Sequence, residues 1–237
     1  MNTYGNRIIA LTILTFLIFY GCRVPDDTGS MQPFNGYPFL TDKEEIRQLL
    51  KEKCIDTIIF SKGEVVADIG AGNGYIEAML SIFYDSITFY IQDIDTSVCN
   101  QKVIDDVVRF YEQVNGVPFT NTFIVANGTD STTNLPDNTF DKIFMFYTFQ
   151  YIKKPRAFIL DVKKKIKHNG LFYVINPQYG DYSDLDSQRQ QFGWNALPLE
   201  KEISEIINCG FELIRIGRNW SSEGFDNPYI MVFRRKN

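Results

Sequence analysis

The stretch 65–75, VVADIGAGNGY, decides how the rest of this chain is read. Its first half is apolar and β-branched and ends on an acid, Asp68, followed by Ile69. Glycines then stand at every second position, Gly70, Gly72 and Gly74, before an apolar run that begins YIEAML. A strand that ends in a glycine-rich turn and opens a helix brings free backbone N–H groups and close main-chain approach to one point. In an open α/β sheet that point is the ligand crevice at the carboxyl ends of the strands. The spacing is GxGxG. Tyr75 stands where the dinucleotide fingerprint GxGxxG has its third glycine, and no GK[ST] follows, so neither a dinucleotide loop nor a P-loop is indicated.

Outward from this turn, short β-like runs alternate with helical ones. EVVADI at 64–69, ITFYIQD at 87–93, TFIVA at 122–126, the run within 140–149, and GLFYVINP at 170–177 read as strands. Helices are expected at 74–83, 96–114, 156–167 and 199–210, and two strands, 211–217 and 228–235, close the chain. An earlier helix begins near Thr41, where TDKEE offers a capping side chain followed by acids. Ile46, Leu49 and Leu50 follow at helical spacing, with Ile58 and Ile59 further along that side. Continuous apolar strands belong to sheets covered on both faces, and the alternation implies a doubly wound, mostly parallel α/β sheet.

Composition narrows the function classes. Among 237 residues, 44% are hydrophobic and 22% charged, with a formal net charge of −5. That is enough for a core and gives no electrostatic footprint for nucleic acid. The basic run KKKIKHNG at 163–170 reads as a solvated helix end, where cations suit the dipole. Of the four cysteines, Cys54, Cys99 and Cys209 lie among apolar residues and read as core side chains. Without CxxC spacing or partnering histidines, no metal site is expected.

The N-terminus reads differently. Arg7 precedes an apolar run of 13 residues, Ile8 to Tyr20, shorter than the roughly 20 that span a bilayer and of signal-peptide length. Gly21 and Cys22 follow in IFYGC, which resembles the lipobox of bacterial lipoproteins, with Phe19 and Tyr20 where that pattern has Leu and a small residue. The resemblance implies acylation at Cys22. Residues 1–21 are thus a leader, 22–40 a linker rich in proline and glycine, and 41–237 the globular domain. A lipid-anchored domain in the cell envelope is expected; an uncleaved anchor with the domain facing the cytosol is the alternative.

Across 42–235 the motifs resemble, in order, those of class I S-adenosylmethionine-dependent methyltransferases, nearest to small-molecule enzymes of the UbiE-like type. VADIGAGNG resembles their first motif, and YIQDID the acidic end of the second strand. LPDNTFDKIFMFYTFQYIKKP resembles the fourth-strand region, VKKKIKHNGLFYVINP the passage into the fifth, and NCGFELIRI and PYIMVFRRK the last two. The resemblance implies a seven-stranded Rossmann-like sheet with its last strand antiparallel, and S-adenosyl-L-methionine as cofactor. Gly70, Gly72 and Gly74 would line the cofactor's methionine and ribose side, with Asp68 at its amino-acid end. Asp93 would bind the ribose hydroxyls, Ile94 pack on the adenine, and Thr129 and Asp130 contact the adenine edge. Phe146 and Tyr147 would face the methyl donor. Asp141 reads as a turn anchor and His168 as a turn residue, neither as catalytic, and no catalytic residue is indicated.

The chain departs from these relatives after the fourth strand. TFQYIKKP has Phe149, Gln150 and Tyr151 where many carry histidines, and the NPPY signature is absent. The segment 177–198, with Tyr179, Tyr182, Arg189 and Trp194, has the length and composition of a lid. Two functions are left open: a methyltransferase acting on a small-molecule acceptor, and a methyltransferase-like lipoprotein without catalysis that serves as a binding module.

Overall fold

In the computed structural model, residues 39–177, 197–218 and 228–236 are described. Helix α1 (Lys43–Glu52) leads to strand β1 (Val65–Ile69), followed by α2 (Tyr75–Leu80), β2 (Thr88–Asp93), α3 (Gln101–Asn115), β3 (Thr122–Asn127) and β4 (Phe140–Phe146). Then come α4 (Pro155–Lys165), β5 (Ile166–Pro177), α5 (Leu199–Asn208), β6 (Phe211–Arg218) and β7 (Pro228–Arg235). The strands form one seven-stranded sheet in the order β3-β2-β1-β4-β5-β7-β6. Strands β1 to β5 pair in parallel, and β7 runs antiparallel to both β5 and β6. This is the doubly wound, Rossmann-like sheet that the sequence implies.

Side chains alternate along a strand, and here both faces are buried. Val66, Phe144, Phe146, Tyr173, Ile175, Ile230 and Val232 pack with Ile46 and Leu50 of α1, Tyr75 and Met79 of α2 and Val107, Phe110 and Tyr111 of α3. Their neighbours one residue away, Ala67, Ile143, Met145, Phe172, Val174, Met231 and Phe233, pack with Phe158, Ile159 and Val162 of α4 and Ile206 of α5. The continuous apolar runs follow from this two-sided covering.

Local chemistry sets the boundaries. Asp42 caps α1, its Oδ1 accepting from the N–H groups of Glu44 at 2.9 Å and Glu45 at 3.0 Å. That helix ends at Glu52, so Ile58 is buried while Ile59 is 73% exposed, not on one continuing face. Helix α3 starts later than 96. Asp95 Oδ1 accepts from Ser97 N–H (2.9 Å), holding a turn, and Asn100 caps the helix by accepting from Val103 N–H (3.1 Å).

Strand β5 also differs from expectation. It begins directly after α4, with Ile166 opposite Phe140 and a register shift before Leu171 meets Lys142. His168 therefore lies in a strand rather than a turn. Gly170 makes the shift possible, since a Cβ there would sit 2.8 Å from the Phe140 carbonyl oxygen. The basic run is only partly solvated: Lys165 is buried, its Nζ 2.7 Å from Asp137 Oδ1 and 3.4 Å from Asp161 Oδ1. Cys54, Cys99 and Cys209 are buried.

Among the described residues no helix is long and apolar enough to cross a membrane. The leader, Cys22 and most of the linker lie outside the described residues, as do Tyr179, Tyr182, Arg189 and Trp194.

Candidate cofactor site

Strands β1, β2 and β4 end side by side, and the glycine-rich loop crosses above them. Gly70, Gly72 and Gly74 all have positive φ, at 78°, 57° and 73°, a region L-residues adopt at a cost. The loop is tied to β2. The N–H groups of Gly70 and Ala71 donate to the Gln92 carbonyl at 2.8 and 3.0 Å. Gly72 N–H donates to Asp93 Oδ2 at 2.9 Å. On the other side the loop leans on the residues after β4, so that a Cβ on Gly70 would lie 2.3 Å from Thr148 Oγ1.

Asp93 is held at both oxygens, since Oδ1 accepts from Asp95 N–H at 2.9 Å. A carboxylate has about four lone-pair sites, so acceptor capacity remains for a ligand's hydroxyl groups. Ile94, next in sequence, is 58% exposed, an apolar side chain left uncovered beside Asp93. The turn after β3 is fastened to the same corner, with Gly128 N–H donating to the Asp93 carbonyl at 3.0 Å. Within that turn Thr129 Oγ1 accepts from Thr132 N–H at 3.2 Å, and Asp130 stands 4.0 Å from Lys154 Nζ. Both side chains face solvent.

At the end of β4, Phe146 and Tyr147 stack with ring centroids 4.3 Å apart. Tyr147 has a φ of 54°, costly for an aromatic residue. Its N–H donates to the Ile175 carbonyl (2.8 Å), and its own carbonyl accepts from Gln150 Nε2 (2.8 Å). Phe146 is buried in the core cluster, whereas Tyr147 is half-buried at its edge. Gln150 is buried with Oε1 unpartnered.

Two acids lie beneath the loop. Asp68 is 1% exposed and Glu77, on α2, is 0% exposed. Among the described residues no donor reaches Asp68 Oδ1 or either oxygen of Glu77. Burial, then Glu77 and Asp93, raise Asp68 well above the usual carboxylate range. Burial pushes Glu77 up to about 7 against the pull of its contact with Asp68. Cys99 is pushed up to about 12 by burial and then by Asp93 and Glu77. Asp68 and Glu77 are buried and meet no cation among the described residues, which suits a ligand with positive charge and disfavours a pyrophosphate.

Sequence reasoning named Asp68, the three glycines and Asp93, and the fold brings these together, with Ile94 and the Thr129–Asp130 turn at the rim. It passed over Glu77, Thr148 and the carbonyl of Gln92. Glu77 had one signal, an acid inside the otherwise apolar run YIEAML.

Residues 67–174 match the family model of a methyltransferase domain. The matched segment runs from β1 to β5 and contains Asp68, the three glycines, Glu77, Asp93 and Tyr147. No curated protein matches the chain. Solved structures with the same fold include a chain of the Haloferax volcanii complex formed by the Trm112 methyltransferase activator. It is 12% identical with a TM-score of 0.61 over 82% of this chain and 94% of that one. A SAM-dependent methyltransferase from Aquifex aeolicus is 17% identical, TM-score 0.57, over 81% and 97%. One from Methanosarcina mazei is 16% identical, TM-score 0.56, over 77% and 97%. At these identities the likeness establishes the methyltransferase-type fold.

Proposed function

We propose that this chain is an S-adenosyl-L-methionine-dependent methyltransferase with a small-molecule acceptor, tethered to a membrane surface through Cys22. The observation that carries the catalytic reading is the Asp93 carboxylate at the end of β2. It is bonded to Gly72 of the loop and keeps acceptor capacity for a pair of ribose hydroxyls. The residues fit the cofactor. The loop with its three positive-φ glycines crosses the strand ends beside Asp93, Ile94 offers an apolar face there, and Asp68 has an unpartnered buried oxygen for an ammonium group.

The cofactor supplies an electrophilic methyl group on a sulfonium. The protein's part is to orient and to exclude water, which can supply most of the acceleration when the acceptor is already nucleophilic. Asp93 would accept from the ribose hydroxyls, and Asp68 with Glu77 would place negative charge where the cofactor is positive. Tyr147, held in a strained conformation by Ile175 and Gln150, forms the wall beside the methyl-bearing end.

Calorimetric titration of residues 30–237 with S-adenosylmethionine and S-adenosylhomocysteine tests the reading. Micromolar binding is expected. Asp93→Ala should weaken it by about 1.5–3 kcal/mol, the worth of hydrogen bonds to a charged group. Binding of neither compound by the folded domain would leave the binding-module function. The tether is tested separately: Cys22→Ser should abolish metabolic labelling with a fatty acid, and undiminished labelling would refute the lipobox.

A further inference from the structure

Two carboxyl groups in contact, both removed from water and without a cation, cannot both be charged at neutral pH. Asp68 and Glu77 are such a pair. Their side chains meet under the loop, and three of their four oxygens are buried with no donor in reach. Among the described residues, the groups around them add no compensating charge. Asp93 at the end of β2 raises Asp68 further, and the Cys99 thiol beyond it is itself pushed up by these carboxyls. Phe144 is the register partner of Asp68 on β4, and the Ile69 backbone N–H acts in the opposite sense on Asp68. A single proton placed between the two carboxyls turns the contact into a hydrogen bond and leaves one negative charge instead of two.

We propose that Glu77 is a positioning residue of the cofactor site: it shares one proton with Asp68, and that proton passes to solvent when a cationic group of the ligand binds against Asp68. The proposal rests on the reading of the loop as a cofactor site, but half of it concerns the protein alone. Without ligand, the shared proton holds Asp68 in place and lowers the cost of burying it. With ligand, the incoming positive charge takes over the proton's role. The exchange balances: one proton leaves and one cationic group arrives. A neutral or anionic ligand brings no such compensation, so the pair also selects for positive charge.

The ligand-free protein gives the first test. A carboxyl that keeps its proton to higher pH when folded than when unfolded contributes stability at low pH that is lost as pH rises through its folded value. For Glu77 the window runs from the ordinary 4.5 to about 7. Glu77→Gln keeps shape and a donor but cannot titrate. The wild-type melting temperature should therefore fall relative to E77Q across that window. Parallel curves, the mark of a packing role only, would overturn the proposal. Should E77Q not fold, Glu77→Met, of similar volume and without a titrating group, takes its place.

The second test is calorimetry with S-adenosylmethionine in two buffers of different ionisation enthalpy near pH 6.5. Wild type should release a substantial fraction of a proton, and its affinity should rise with pH by up to about tenfold per unit. E77Q should release none and show a flat profile. Equal release by both overturns the assignment to Glu77. If no ligand binds although the stability curves diverge, the cofactor reading and the release step fall together and the shared proton stands.

Discussion

At Gly70 two separate costs meet in one residue, and a substitution can tell them apart. Its φ of 78° is matched by Gly63 at 83°. Nothing lies within 4 Å of a Cβ at Gly63, whereas one at Gly70 would be 2.8 Å from Thr148 Cβ. Gly63→Ala should cost only backbone strain, on the order of 1 kcal/mol. Gly70→Ala should cost that plus the displacement of a stiff β-branched side chain, about 1–3 kcal/mol more. Urea midpoints of the two variants give the difference directly. The glycine triplet was legible in the sequence because positive φ is a local demand. Glu77 was not, because what makes it unusual is the burial of Asp68 against it, and that contact exists only once β1 and α2 have packed.

At the scale of elements, Asp141 is a latch between strands. Its Oδ2 accepts from Val65 N–H at the start of β1 (2.9 Å), and both its oxygens lie 2.8 Å from Lys167 Nζ on β5. Burial opposes its ionisation, but Lys167 and the Val65 N–H outweigh that and hold its carboxyl below the ordinary 3.8. A lowered folded value means stability present above 3.8 and lost as pH falls through the folded value. Asp141→Asn should therefore flatten the acid limb of the stability curve, seen as urea midpoints that diverge from wild type above about pH 4 and converge below it. The sequence reading made Asp141 the anchor of a turn, whereas it lies within β4 and joins β1 to β5. That reading also misjudged the beginning of β5, because Ile166–Gly170 has the polar look of a connection. Its strand state comes from Phe140, a partner 26 residues away. Apolar runs reveal strands, but register shifts are set between chains of residues rather than within one. The late start of α3 is the opposite case: Asp95, Ser97 and Asn100 carry their own turn and cap chemistry, and a closer reading of those side chains would have found it.

For the molecule as a whole, stability should vary with pH through a second buried acid. Glu202 on α5 accepts from Tyr229 OH of β7 and Asn176 Nδ2 of β5, both at 2.7 Å. Burial pushes its carboxyl up to about 7 even though both bonds pull the other way. The folded chain thus holds a proton that the unfolded chain gives up near 4.5, and stability declines between those values. Glu202→Gln should remove part of that decline, and E202Q combined with E77Q should remove more, because the two sites lie in different parts of the sheet and share no partner. Thermal melts from pH 5 to pH 8 check both statements.

The place of β7 has a consequence for synthesis. The last strand of the chain lies between β5 and β6 and contributes buried residues to both faces of the sheet. Until residues 228–235 have left the ribosome, β5 and β6 have no partner on the sides they turn toward each other, and the sheet stays in two pieces. Truncation before Pro228 should yield aggregated or protease-sensitive chain rather than a smaller domain. For a polypeptide carrying the proposed export leader, a sheet that is joined only once residues 228–235 are made is a timing device. The domain remains threadable through a narrow channel until β7 has been made, and it locks only after that strand has passed.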